Sequence, residues 1–194
     1  MNINNKASSS DTVSTNVEMA GGTNDKVRGG GVFHFKCYDK DGNLKWEDKA
    51  HNLVVNVGLA DMNDKYFSGS AYTATWYLGL VNNSPTPSYA AGDTMASHAG
   101  WAESTDYTQA NRPTVTFGSA TVADPSVIDN SGSVDVFTMN ASVTIAGAFL
   151  TSNDTKGGTT GILFSASTFQ SPGARTVVSG DTLNVTYEFS LDAA

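Results

Sequence analysis

Residues 182–191 alternate without a break: Leu183, Val185, Tyr187, Phe189 and Leu191 are apolar, and Thr182, Asn184, Thr186, Glu188 and Ser190 are hydrophilic. A period of two sends the two sets to opposite faces of an extended chain, one against a core and one toward water. That is the pattern of an antiparallel sheet covered on one side, and it recurs. Phe33, Phe35 and Cys37 share a face, with Val32, His34, Lys36 and Tyr38 opposite. The run Asp39-Lys40-Asp41-Gly42-Asn43 supplies a tight turn, because Asp-Gly accepts positive φ, and Leu44-Lys45-Trp46-Glu47 returns as the second strand of a hairpin. Asn52-Leu53-Val54-Val55 reads as a separate short extended piece, and further strands are predicted at 75–81, 114–117, 134–139, 142–149, 161–167, 176–178 and 182–191.

Composition agrees. Only 15% of the 194 residues are charged, where about 25% is usual, and 21 Ser and 22 Thr fill the gap. Such a mixture favours strands over helices. One short helix is predicted from Asn56 as its cap, with Leu59, Met62 and Tyr66 as the buried stripe. A single helical turn is predicted near Asp93-Thr94-Met95-Ala96. Many short strands between turn clusters point to an all-β antiparallel sandwich or jelly roll with one short helix.

Residues 1–31 differ from the remainder of the chain. All 19 aromatic residues lie at Phe33 or later, and the segment ends in Gly29-Gly30-Gly31. So little bulky apolar surface does not offset the entropy of ordering. The expected organisation is an N-terminal arm over 1–31, frayed or ordered by a neighbouring subunit, and a sandwich domain over 32–194.

The net charge of −8 disfavours a nucleic-acid partner. No apolar run approaches the ~18–20 residues that span a bilayer, and Met1-Asn2-Ile3-Asn4-Asn5-Lys6 lacks the apolar region of a secretory signal. With Cys37 as its one cysteine, the chain has no disulfide framework or multi-cysteine zinc site. Lysines concentrate early: residues 1–65 hold 8 basic and 9 acidic side chains, and residues 66–194 hold 3 and 10. That asymmetry suits an acidic neighbour of the N-terminal third, or simply a solvated surface.

Chemistry-bearing patterns are sparse. His34, His51 and His98 show no metal-ligand spacing. No Gly-x-Ser-x-Gly elbow occurs. Asp39-x-Asp41-Gly42-Asn43 starts like a calcium loop, but its twelfth position is Ala50 instead of Glu. The glycine runs do not form phosphate loops. Sequons at Asn82, Asn140, Asn153 and Asn184 are expected in a chain so rich in Asn, Ser and Thr. No cofactor and no metal are expected. Residues 100–113 stand apart as a long stretch with little alternation that carries Trp101, Tyr107 and Arg112, types enriched at interface hot spots. These three are the candidate partner-binding residues, displayed to a partner or else packed on their own sandwich.

The stretch Gly92-Asp93-Thr94-Met95-Ala96-Ser97-His98-Ala99-Gly100-Trp101 resembles structural proteins encoded among the virion genes of tailed bacteriophages. So do Val143-Thr144-Ile145-Ala146-Gly147-Ala148-Phe149-Leu150, Lys156-Gly157-Gly158-Thr159-Thr160-Gly161 and Val178-Ser179-Gly180-Asp181-Thr182-Leu183. The opening from Phe35 to Leu59 resembles the same group. This resemblance implies a small β-sandwich capsid cement or decoration protein, made in the host cytoplasm and resident on the virion. Its implied partners are the major capsid protein and copies of itself, and its implied role is non-enzymatic. Two other readings remain open. One is a tail or head-fibre module recognising host surface glycans through rings at Trp101, Tyr107 or Tyr77. The other is a hydrolase built on Asp106, Glu103 and His98.

Overall fold

The computed structural model describes residues 27–72, 75–169 and 173–193. Among the described residues eleven strands and one helix occur in the order β1 (Val27–Tyr38), β2 (Leu44–Val54), α1 (Asn56–Phe67), β3 (Trp76–Asn82), β4 (Ala102–Ser104), β5 (Thr114–Val115), β6 (Ser126–Asp129), β7 (Asp135–Thr138), β8 (Val143–Thr151), β9 (Leu163–Ser167), β10 (Arg175–Val177) and β11 (Thr182–Ala193). Every strand pairing is antiparallel. The fold is an all-β sandwich, as the alternation predicts.

One sheet is built on β1, which lies between β2 and β11, with β6 and β7 on the far side of β11. The other is built on β8, flanked by β3 on one side and by β9 and β10 on the other, with β4 and β5 beyond β3. Strand β2 belongs to both. Through His51 it pairs with β1, and from Asn52 to Val54 it pairs with β9. The two pieces expected at 44–47 and 52–55 are therefore one strand that changes sheets along its length.

Register explains the core. Phe33 stands opposite Tyr187, Phe35 opposite Val185 and Cys37 opposite Leu183, all buried. Phe35 meets Phe169 edge-on at 4.5 Å, and Trp46 meets the same ring at 5.7 Å. At the hairpin tip Gly42 takes φ +84°, and Asp39 Oδ1 accepts the amides of Asp41 and Asn43. The turn expected there is present. Asp181 ties the hairpin down by pairing with Lys45 and accepting the amide of Val178 at 2.9 Å.

The sheet-changing point is held by a polar lock. Asn52 Oδ1 accepts the Gly31 amide at 2.7 Å, and Asn52 Nδ2 donates to the Tyr187 hydroxyl at 2.8 Å. Ser165 Oγ donates to the same hydroxyl at 3.4 Å. The chain thereby links β1, β2, β11 and β9. The Gly29-Gly30-Gly31 run that ends the predicted arm lies inside β1, with Gly31 opposite Phe189. Its reason is space: a Cβ on Gly31 would stand 2.6 Å from the Tyr187 hydroxyl and 2.7 Å from Asn52 Nδ2. The arm predicted over 1–31 thus gives residues 27–31 to the sheet, and residues 1–26 lie outside the described residues.

Other expectations shift. The helical turn near Asp93 is instead a tight turn closed by a Thr94–Ser97 bridge. Strands β4 and β6 carry no alternation long enough to be predicted. Strand β8 also lacks alternation, because both of its faces are covered: Ile145 and Leu150 join the main core, while Ala146 and Phe149 join a second cluster with Met95 and Trp101.

A second buried polar unit fixes the β6–β7 turn. Asn130 Oδ1 accepts the Tyr187 amide at 2.7 Å, and Asn130 Nδ2 donates to Asp135 Oδ2 at 3.0 Å. Burial pushes the Asp135 carboxyl up to about 7, against the downward pull of that hydrogen bond.

Two stability outcomes are expected. Gly31→Ala lowers the urea unfolding free energy by about 1–3 kcal/mol through overpacking, whereas Gly30→Ala, with nothing within 4 Å of the new Cβ, shifts it by no more than about 0.5 kcal/mol. Between pH 4 and 7 native Asp135 holds a proton that the unfolded chain has released. Stability therefore falls as pH rises through that window, by up to about 4 kcal/mol. Asp135→Asn removes this slope, so in thermal melts the variant outlasts the parent at pH 8 and loses that advantage at pH 5.

Candidate functional site

The residues singled out at 100–113 all face inward. Trp101 is 3% exposed, Tyr107 0% and Arg112 2%. Strand β4 pairs with β3 and swings Trp101 over the second face of β8, where its ring meets Phe149 at 5.1 Å and stacks on His98 at 4.0 Å. The indole Nε1 donates to Asp93 Oδ2 at 3.1 Å. Tyr107 meets Phe137 edge-on at 5.0 Å and carries the Lys156 ammonium 4.4 Å above its ring. Burial and the nearby Glu103 charge push its phenol well above the usual range, with Arg112 pulling the other way. A ring without accessible surface makes no contact with a partner, so the displayed reading of the trio is corrected and the packed alternative describes it: Trp101, Tyr107 and Arg112 form an internal anchor.

Arg112 is the centre of that anchor. Its Nε and Nη2 fork the Glu103 carboxylate at 2.9 and 2.7 Å. Nη1 donates to Asn153 O at 2.9 Å and Nη2 to Gly158 O at 2.8 Å, while the guanidinium lies 5.2 Å from the Phe149 ring centre. Glu103 Oε2 also accepts the Gly157 amide at 2.9 Å, and Lys156 donates to the carbonyls of Tyr107 and Gln109. A buried charge is tolerated only when paired and hydrogen-bonded, and here the pairing fastens the 153–158 loop to the 100–113 loop.

Beside this clamp lies a cleft of about 220 Å³ lined by His98, Trp101, Glu103, Thr105, Phe149 and Thr159, among others. It brings together two of the three residues considered for hydrolysis. Asp106 is outside its lining and accepts the Ser104 hydroxyl at 3.3 Å. Within the cleft, Glu103 is committed to Arg112, and His98 Nδ1 sits 3.1 Å from the Trp101 carbonyl.

A second depression, of about 330 Å³, lies on the outer face of β1 and β2 between His34, Lys36, Glu47 and Lys49. It is a shallow polar surface. His34 and His51 are exposed, and among the described residues no group of three His, Cys, Asp or Glu side chains is placed to hold a metal. Cys37 is buried, and its thiol is pushed up to about 11, first by burial and then by the Asp181 charge.

The outstanding surface feature is α1. It begins at Val55, which makes no side-chain cap, so Asn56 is not the cap expected. The close contact is made by Gly58, where a Cβ would stand 2.6 Å from Phe164 O. Packing on this glycine turns Asp61, Met62 and Lys65 toward the body, and Asp61 pairs with Lys65 at 3.4 Å. The stripe predicted to be buried is rotated outward, except for Met62: Leu59 is 46% exposed and Tyr66 83%. Phe67, which meets Tyr66 edge-on at 4.8 Å, is 79% exposed, as is Tyr72 beyond the helix. Surface helices ordinarily turn the apolar side in. Here Val57 and Met62 face the core beside Gly58 and the Asp61–Lys65 pair, while Leu59, Tyr66 and Phe67 stay exposed.

The sequence singled out 100–113 as the candidate surface and expected the apolar positions of α1 to be buried. The signal was present in the i, i+7 pair Leu59 and Tyr66, which marks an apolar face but not the direction it points. No family model, curated protein or solved structure matches the chain.

Removing the guanidinium strands a buried carboxylate. Arg112→Met is expected to destabilise the protein by about 3–5 kcal/mol in chemical denaturation, and Arg112→Met with Glu103→Gln to recover part of that loss.

Proposed function

We propose that the chain is a non-enzymatic structural protein of a tailed-phage virion, a cement or decoration subunit. It binds the outer surface of the shell made by the major capsid protein and reinforces the contacts between capsomers. The observation that carries this reading is the outward apolar face of α1. Adjoining exposed rings, here Tyr66 and Phe67, mark an interaction surface on a small domain. The virion assignment itself rests on the resemblance of residues 35–59, 92–101 and 143–183.

The mechanism is addition of buried area. Each bound copy covers apolar surface worth roughly 25 cal/mol per Å² removed from water, and repetition over many copies makes the shell harder to open. Rigidity serves this purpose, because a body tied by the Asn52 lock and the Arg112 clamp loses little further entropy on binding.

The competing tail or head-fibre module for host glycans needs free rings at Trp101, Tyr107 or Tyr77. The first two are buried, and Tyr77 lies within β3, half-buried between β5 and β8.

Particles that lack the protein are expected to rupture at a lower temperature and after milder osmotic shock than complete ones, with purified protein restoring durability. Unchanged durability, with the protein located on the tail by electron microscopy, overturns the assignment.

A further inference from the structure

We propose that the open edge of β1 at Val27–Gly31 is a strand-acceptor site, and that its occupant is residues 15–19 of the same chain, folded back antiparallel through residues 20–26. The inference goes beyond the reading of the protein as a shell subunit and does not depend on it.

Strand β1 is paired with β11 along its whole length, but β2 accompanies it only from Val32 to Tyr38 before leaving for β9. In an extended chain the N–H and C=O of one residue point to the same side, and successive residues alternate. The Gly31 amide reaches Asn52, away from β11. Gly29 and Val27 share its direction, so among the described residues their amides and carbonyls have no strand beside them. Both residues are exposed, Val27 at 73%. Edges left open in this way are ordinarily blunted by an inward charge, a proline or a bulge. Residues 27–31 carry none of these. Arg28, their one charge, lies on the face opposite Gly29 and Gly31, and the pairing with β11 runs without a register shift.

The occupant is set by where the chain outside the described residues ends, and by its pattern. Residues 1–26 join β1 at Val27, at the open edge itself. Within them Val13, Thr15, Val17 and Met19 alternate with Thr12, Ser14, Asn16 and Glu18, a period of two rich in β-branched side chains. Ala20-Gly21-Gly22-Thr23-Asn24-Asp25-Lys26 follows, with the glycines and the Asn-Asp pair that chain reversals use. A reversal over these seven residues sets Met19 opposite Val27, Val17 opposite Gly29 and Thr15 opposite Gly31. That register turns Val17 and Met19 to the inner face. There a Cβ on Gly29 itself would crowd Phe189 at 3.2 Å and Leu191 at 3.4 Å, so the glycine leaves that apolar surface to a side chain from the next strand. Thr15 falls at the polar end of the track, where Asn52 holds Gly31. Backbone pairing supplies the affinity in strand addition, which suits a segment without aromatic rings. So short a connection holds the segment at an effective concentration on the order of millimolar, well above that of a second copy in dilute solution.

The test is amide hydrogen exchange, read residue by residue by NMR on the nitrogen-15-labelled full chain. Corrected for local sequence, the Gly29 amide is expected to exchange at least about tenfold more slowly than that of Gly22 in the connecting turn. Val17→Pro removes the amide that donates to the Gly29 carbonyl. It should return Gly29 to the unprotected rate while leaving exchange at Phe35, inside the β1–β2 pairing, unchanged. Ser8→Pro, outside the register, should leave Gly29 protected. In the parent chain the protection should be the same at about 20 and about 500 µM, as a contact within one chain requires. Gly29 exchange as fast as that of Gly22, protection that persists in Val17→Pro, or protection that disappears on dilution, the sign of a second copy in the site, each overturns the proposal.

Discussion

A strand that serves two sheets must be stopped from sliding at the place where it changes partners, and here Asn52 does so. Its side chain satisfies the Gly31 amide on one side and the buried Tyr187 hydroxyl on the other. Hydrogen bonds in a water-free interior are strong, and leaving any of these groups unpaired costs more than the bond itself contributes. A one-residue slip of β2 would send every inward side chain to the wrong face. The lock therefore sets the register of β1, β2 and β11 together, and with it the Phe33–Tyr187 contact at 4.6 Å.

The rest of the body is built on that register. Sheets of this kind pack their apolar faces together and leave the outer faces to water, unless something covers them. The outer face of β8 is covered by the loop between β3 and β5, and the Arg112–Glu103 pair holds that loop closed. Gly79 takes part by absence of a side chain: a Cβ there would stand 2.1 Å from the Phe149 ring, whose position Trp101 and Arg112 share.

Strands were legible wherever one face is wet, since burial then writes itself into alternate positions. Both β1 and β11 obey this rule along their paired cores. Strand β8 was predicted over 142–149 but lacks alternation because it is dry on both faces, and β4 and β6 escaped by brevity. The candidate surface was legible only in part. Trp101, Tyr107 and Arg112 are types common at interfaces, but residue type carries no direction, and the same rings and guanidinium serve equally well as the inner anchor of a loop. In α1 the apolar positions were visible in the spacing, while the direction of the face depended on Gly58, whose missing side chain lets the opposite side approach Phe164.

The placement of β1 between β2 and β11 has a mechanical consequence. Twelve consecutive residues of β1, from Val27 to Tyr38, are matched to β11. Tension that enters ahead of Val27 and is resisted by the far side of the domain runs along the strand axis. It must shear many backbone bonds together. Tension between Val27 and Ala193, which sit opposite one another, opens the same ladder like a zip, one rung after the next. The domain is therefore a stiff tether in one direction of pull and a yielding one in the other.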